Sequence, residues 1–185
     1  PIIRKPFFCS GCPHNSSLKV PEGKRALGGI GCHYMAVDSI ESTEFFTQMG
    51  GEGTPWIGIA PFSHEKHVFA NLGDGTYKHS GILAIRASLD ANVNITYKIL
   101  YNDAVAMTGG QEIGSNWDVE GIVKQVLAEG VKKVSILSQD PKRYNHLVKN
   151  EVKSLHRDAI ITDLEELSKY EGVSILIFDQ TCAAE

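Results

Sequence analysis

Four short runs rich in Val, Ile, Leu and aromatic residues recur at helix-length intervals along this chain: Val68 to Leu72, Val93 to Leu100, Val131 to Leu137 and Val173 to Phe178. Strands this uniformly apolar are buried on both faces, which is the condition of a mostly parallel sheet with helices on both sides. The intervening segments suit those helices. Ser80 to Ala91 reads as one. Val119, Ile122, Val123, Val126 and Leu127 fall at i, i+3, i+4, i+7 and i+8, with Asp118 as N-cap and Gly130 just past the end. A third helical stretch runs around Thr162 to Tyr170, and the polar residues from Lys142 to Tyr170 read as solvated helix faces.

The N-terminal third differs. It is rich in Gly, Cys, Pro and polar residues to about Phe62 and predicts loops with one short helix near Met35 to Phe45. At 185 residues and 42% apolar content the chain suits one domain with a real core, residues 1–66 forming a loop-rich segment within it. It begins Pro1-Ile2-Ile3 and stops at Ala183-Ala184-Glu185, which reads as part of a longer polypeptide. The net charge of −4, without a long basic run, disfavours nucleic acid and anionic membrane as partners. No apolar run approaches the roughly 20 residues of a membrane span, and no signal core opens the chain, so the expected address is cytoplasmic.

Ligands of parallel sheets bind at the carboxyl ends of strands. Two turns of this chain stand at such ends: Gly73-Asp74-Gly75-Thr76 and Tyr101-Asn102-Asp103. Glycines bring backbone N–H groups close to phosphate oxygens, and Asp74 with Asn102 offers the hard oxygen ligands Mg²⁺ prefers beside phosphates. The pattern points to a magnesium-bound diphosphate.

Of the four cysteines, Cys9 and Cys12 form a Cys-x-x-Cys pair before Pro13-His14, Cys32 lies in Gly31-Cys32-His33, and Cys182 stands near the end. A pair on a loop with free backbone N–H groups suits a metal or cluster better than a core. A zinc site using His14 or His33 and a buried, structural role for Cys32 and Cys182 remain open at this point. A dithiol of the thioredoxin type lacks its preceding strand.

The motifs Phe8-Cys9-Ser10-Gly11-Cys12-Pro13-His14, Gly31-Cys32-His33-Tyr34, Met49-Gly50-Gly51-Glu52-Gly53, Gly73-Asp74-Gly75-Thr76, Thr108-Gly109-Gly110-Gln111 and Asp179-Gln180-Thr181-Cys182, in that order, carry a resemblance over nearly the whole chain. The sequence resembles the thiamine-diphosphate-binding domain of the 2-oxoacid:ferredoxin oxidoreductases, in particular the indolepyruvate ferredoxin oxidoreductase branch. That resemblance implies a [4Fe-4S] cluster on Cys9, Cys12, Cys32 and Cys182. It implies Mg²⁺ held by Asp74, Asn102 and the Ala104 carbonyl, with Gly31, Gly73, Gly75, Thr76, Met107 and Thr108 around thiamine diphosphate.

It further implies oxidative decarboxylation of a 2-oxo acid to an acyl-coenzyme A, with electrons leaving through the cluster to ferredoxin. The aminopyrimidine half of the active site would come from a pyrimidine-binding domain or subunit, in a dimeric assembly. Met107, preceded by Ala104, Val105 and Ala106, stands where several pyruvate-using relatives carry a polar residue. This is consistent with an arylpyruvate substrate, though Met also fills cores. His33 is the one histidine expected to hydrogen-bond cofactor or substrate; His67 reads as a strand-edge residue, and Glu52 as a loop glutamate that is more often solvated. Two other classes compete: a non-redox thiamine-diphosphate decarboxylase, which needs no cluster, and a zinc-stabilised binding module in which the Gly-Asp-Gly turn is only a tight loop.

Overall fold

The computed structural model describes residue 3 and residues 6–39, 42–112 and 118–184. Its elements in chain order begin with α1 (His14–Ser17), β1 (Ala26–Gly28), α2 (Ala36–Ser39), β2 (Thr43–Phe46), α3 (Thr54–Ile59), β3 (Val68–Gly73) and α4 (Asp74–Thr76). There follow α5 (Ile82–Asp90), β4 (Ile95–Tyr101), β5 (Ala104–Val105), β6 (Gln111–Glu112), α6 (Val119–Ala128) and β7 (Val134–Ser138). β8 (Val152–His156), α7 (Ile160–Leu167) and β9 (Val173–Asp179) complete the order.

Seven strands form one sheet in the order β2-β1-β3-β4-β9-β7-β8, every pairing parallel, while β5 and β6 make a small antiparallel ribbon. The expected mostly parallel α/β architecture is present. Burial follows the period-two alternation of strands. Val68, Ala70, Leu72, Ile95, Tyr97, Ile99, Ile175 and Ile177 share one core with Ala84 and Ile85 of α5 and Ile122, Val123 and Val126 of α6. Phe69, Leu100, Leu176 and Phe178 share the other with Leu18 and with Leu164 and Leu167 of α7.

The Asp118 carboxylate caps α6 by accepting from the Gly121 N–H at 2.8 Å, and Gly130 takes a φ of +105° just past its end, both as the sequence predicts. Helix α5 is preceded by a wider turn over Tyr77–Gly81 that runs into it, so the helical stretch starts earlier than Ser80.

Three expectations are corrected. The helix expected from Met35 to Phe45 ends at Ser39, and Thr43-Glu44-Phe45-Phe46, β-branched and aromatic, forms edge strand β2; residues 40 and 41 lie outside the described set. The N-terminal segment is not only loops, because β1 sits inside the main sheet between β2 and β3. The polar stretch after Lys142 contains β8, an edge strand paired to β7 through Val134↔Val152; its Lys153 is the kind of charged residue edge strands carry. The chain ends at Pro1, Ile2 and Glu185 lie outside the described residues.

Candidate functional site

Register sets the two turns side by side. Gly73 pairs with Leu100 across β3 and β4, so Asp74 and Asn102 leave the sheet together at its carboxyl edge. The Asp74 carboxylate is 6% exposed. Its Oδ1 accepts from the Gly75 N–H at 2.8 Å, and its Oδ2 accepts from the N–H groups of Asn102 at 2.8 Å and Asp103 at 2.9 Å. Burial pushes its pKa up to about 6, against those three donors. The Asn102 Oδ1 accepts from the Ala104 N–H at 3.2 Å. Asp103, at φ +60°, makes the reversal that aims these amides back at Asp74.

The residues fit a divalent cation. Asp74 and Asn102 keep oxygen lone pairs beyond the amides they already accept, and hard oxygens are what Mg²⁺ binds. Thr76 donates from Oγ1 to the Ile30 carbonyl at 3.1 Å and so ties this turn to the loop after β1. A Cβ on Gly75 would meet Val105 Cγ2 at 3.3 Å, so glycine lets the ribbon close over the turn. Ala104 is buried, whereas Met107 is half exposed and Thr108 lies on the open side, donating to Gln111 Oε1 at 2.5 Å. Met107 is therefore not core filling.

All four cysteines line one cavity of about 80 Å³, together with Phe8, His14, His33, Met35, Leu100, Asn102 and Ala106. The loop pair, the post-β1 cysteine and the C-terminal cysteine are thus brought together, and all four thiols are free. Burial raises the Cys32 thiol pKa, and Cys12, Cys182 and Cys9 raise it further by their charge. Among the described residues no group of three or more His, Cys, Asp or Glu is spaced to hold a metal ion. The four thiols line one shared, largely apolar cavity, and thiolate sulfur is a donor that iron–sulfur clusters and zinc both take. Because Asn102 and Ala106 also border this cavity, the thiol site and the Asp74 turn adjoin.

His33 is 4% exposed, its Nε2 has no hydrogen-bond partner, and burial, with His14 and Lys98 contributing, pushes its pKa down to about 3. It is a neutral imidazole at the cavity wall, suited to hydrogen bonding more than to proton transfer near neutral pH. His67 is not a strand-edge group as expected: it is 1% exposed, with Nε2 2.8 Å from Thr96 Oγ1, which lies 2.7 Å from Ser174 Oγ. Nor is Glu52 solvated. It is fully buried, accepts from the Gly50 N–H at 2.8 Å through Oε2, leaves Oε1 unpartnered, and burial raises its pKa.

Three polar residues at this end escape sequence reasoning. Asn71 of β3 is fully buried with neither amide atom partnered. Lys98 of β4 is fully buried, donates from Nζ to the Lys19 carbonyl at 2.9 Å, and burial pushes its pKa down to about 7. Arg157 spans the N- and C-terminal segments. The only signal for the first two is a polar residue inside an apolar run. The roomier cavity, about 330 Å³ beside β2, shares no lining residue with the thiol cavity or the Asp74 turn, so volume alone does not mark the site.

Residues 29–150 match the family model described as "Thiamine pyrophosphate enzyme, C-terminal TPP binding domain". The indolepyruvate oxidoreductase subunit IorA of Archaeoglobus fulgidus is 28% identical over 97% of this chain, and that of Thermococcus kodakarensis is 24% identical over 97%. The chain spans about 30% of the length of these relatives. Among solved structures, the 2-oxoglutarate:ferredoxin oxidoreductase of Magnetococcus marinus superposes with a TM-score of 0.73 at 18% identity, covering 98% of this chain and 66% of that one. The benzoylformate decarboxylase of Polynucleobacter necessarius gives 0.62 at 17% identity, over 91% of this chain and 33% of that one. The two superpositions establish a shared fold, and the family model, matching well over half of the sequence, establishes that the chain belongs to the thiamine pyrophosphate enzymes as a C-terminal TPP-binding domain.

Proposed function

We propose that this domain serves a thiamine-diphosphate-dependent 2-oxoacid:ferredoxin oxidoreductase that converts indolepyruvate or another arylpyruvate to its acyl-coenzyme A. Cys9, Cys12, Cys32 and Cys182 would hold a [4Fe-4S] cluster, which when bound would supply the one-electron route to ferredoxin. The observation that carries the reading is the single cavity ringed by all four cysteines and bordered by Asn102, the residue next to the Asp74 turn. A simple decarboxylase has no use for that arrangement. The IorA relatives point the same way by name.

In this reading Asp74, Asn102 and the Ala104 carbonyl would hold Mg²⁺, which would supply charge neutralisation for the diphosphate. Gly73, Gly75 and Thr76 would line the diphosphate, with Gly31 and His33 of the post-β1 loop as further cofactor contacts. Thiamine diphosphate, when bound, supplies the carbon nucleophile for a 2-oxo carbon and the electron sink after CO₂ leaves. The chain's own part is placement. The three backbone donors lock the Asp74 carboxylate, so the metal site is preorganised. His33 offers a neutral Nε2 without a partner, and Leu100, Met35 and Phe8 line the thiol cavity. The exposed Met107 and Thr108 face outward, toward a pyrimidine-binding domain or subunit that completes the site in a dimeric enzyme.

The test is turnover of the complete enzyme, prepared anaerobically: reduction of ferredoxin that requires the arylpyruvate, coenzyme A, Mg²⁺ and thiamine diphosphate together supports the proposal. CO₂ release that needs neither coenzyme A nor an electron acceptor identifies a non-redox decarboxylase instead. Bound zinc with no cofactor affinity identifies a binding module.

A further inference from the structure

The cysteines arrive from opposite ends of the chain, and one side chain touches both approaches. Arg157, just past β8, donates from Nη2 to the Pro13 carbonyl at 3.1 Å and to Ser16 Oγ at 2.6 Å, and from Nη1 to Gln180 Oε1 at 2.5 Å. Pro13 directly follows Cys12, and Gln180 lies two positions before Cys182. Gln180 is 8% exposed, and its N–H donates to the Tyr101 carbonyl at 3.1 Å; past it the tail bearing Cys182 leaves the sheet.

Each of the three acceptors is neutral, so the guanidinium joins the two segments through charge-assisted hydrogen bonds.

We propose that Arg157 is a positioning residue of the four-cysteine site: its fork holds the Cys9–Cys12 turn and the Cys182 tail in one ligand set. The proposal rests on the cluster reading above. It explains the residue type, because two donor nitrogens on a rigid plane serve two chain segments at once, which one lysine ammonium on a flexible stem does not.

The experiment compares the anaerobically purified full-length protein with Arg157→Met, Arg157→Lys, Cys182→Ala and the Arg157→Met/Cys182→Ala double variant. It reads the rate of iron release to a chelator and the midpoint potential of the cluster. Arg157→Met is expected to release iron about tenfold faster or more, as loss of charge-assisted hydrogen bonds requires, and to shift the midpoint potential. Arg157→Lys, which offers one ammonium to two segments, should not recover the retention. The double variant should lose iron more slowly than the two single effects combined would give, because Arg157 acts in part through the Cys182 ligand.

Mg²⁺-dependent thiamine diphosphate binding checks folding, and Arg157→Gln replaces the Met variant if that check fails. Iron release and potential equal to the parent's, or fully additive effects in the double variant, overturn the clamp alone. A parent without iron and sulfide overturns the cluster reading, and the proposal with it.

Discussion

Lys98 occupies the centre of β4 with no exposed surface, its Nζ donating to the Lys19 carbonyl at 2.9 Å and lying 6.0 Å from the rings of Phe69 and Phe178. Burial lowers its pKa from 10.5 to about 7. A folded-state pKa below the unfolded one means that the full stability is present above pH 10.5 and is lost as pH falls toward 7, because only the unfolded chain takes up the proton there. At about 1.4 kcal/mol per unit the penalty is roughly 5 kcal/mol near pH 6.5 and about 1.4 kcal/mol at pH 9.5, a change of about 3 kcal/mol. Lys98→Met removes the charge at similar volume but leaves the Lys19 carbonyl without this donor, which costs about 1–3 kcal/mol. The variant should therefore exceed the parent in stability at pH 6.5 and lose about 3 kcal/mol of that advantage by pH 9.5. Urea denaturation of the reduced apoprotein at the two pH values measures this. A parent-minus-variant difference that does not change with pH refutes the reasoning, since it means that water reaches the ammonium. Leu100, two residues on and on the same face of β4, lines the thiol cavity, so an assembled anionic cluster should restore the lysine's charge and flatten the slope.

Three further outcomes follow from the same geometry. Asp74→Ala removes the carboxylate that three backbone N–H groups hold, and isothermal titration should find Mg²⁺-dependent thiamine diphosphate binding abolished with iron content unchanged. Gly29→Ala places a Cβ 2.5 Å from Glu52 Cγ, 3.0 Å from the Asn71 carbonyl oxygen and 3.0 Å from His33 Nε2, so it should cost about 1–3 kcal/mol in denaturation and weaken cofactor binding by displacing the post-β1 loop. Tyr97→Phe deletes a buried hydroxyl that donates to the Ala84 carbonyl at 3.0 Å and lies 2.9 Å from Ser88 Oγ, and a loss of about 1–3 kcal/mol in thermal or urea unfolding is expected.

What the sequence reveals here divides along burial. Strands β3, β4, β7 and β9 are legible because each is an apolar run with both faces covered, and α6 because its five apolar positions share one face and its ends carry a cap and a glycine. β1 is three residues ending in glycine, and β2 and β8 are edges whose polar residues mask the alternation. Their pairing is settled by tertiary contact, which overrides weak local preference. The Asp74 and Asn102 turns are legible as strand ends carrying glycines and oxygen ligands. The gathering of Cys182 with the other cysteines is not, since nothing local in the chain says which strand end its tail meets; resemblance supplied that expectation. Asn71 and Lys98 are polar residues inside apolar runs and Glu52 reads as a loop glutamate, and the fold buries each of them fully.

In the proposed function, substrate electrons pass from the Asp74–Asn102 turn to a cluster on the four adjoining cysteines. The visible absorption spectrum of the anaerobic holoenzyme, recorded with Mg²⁺ and thiamine diphosphate before and after an arylpyruvate is added with coenzyme A, reads that transfer. A broad iron–sulfur absorption that bleaches when substrate arrives and returns on adding oxidised ferredoxin is expected. An absorption that stays unchanged while the 2-oxo acid is consumed, or a colourless protein that turns over, would contradict it.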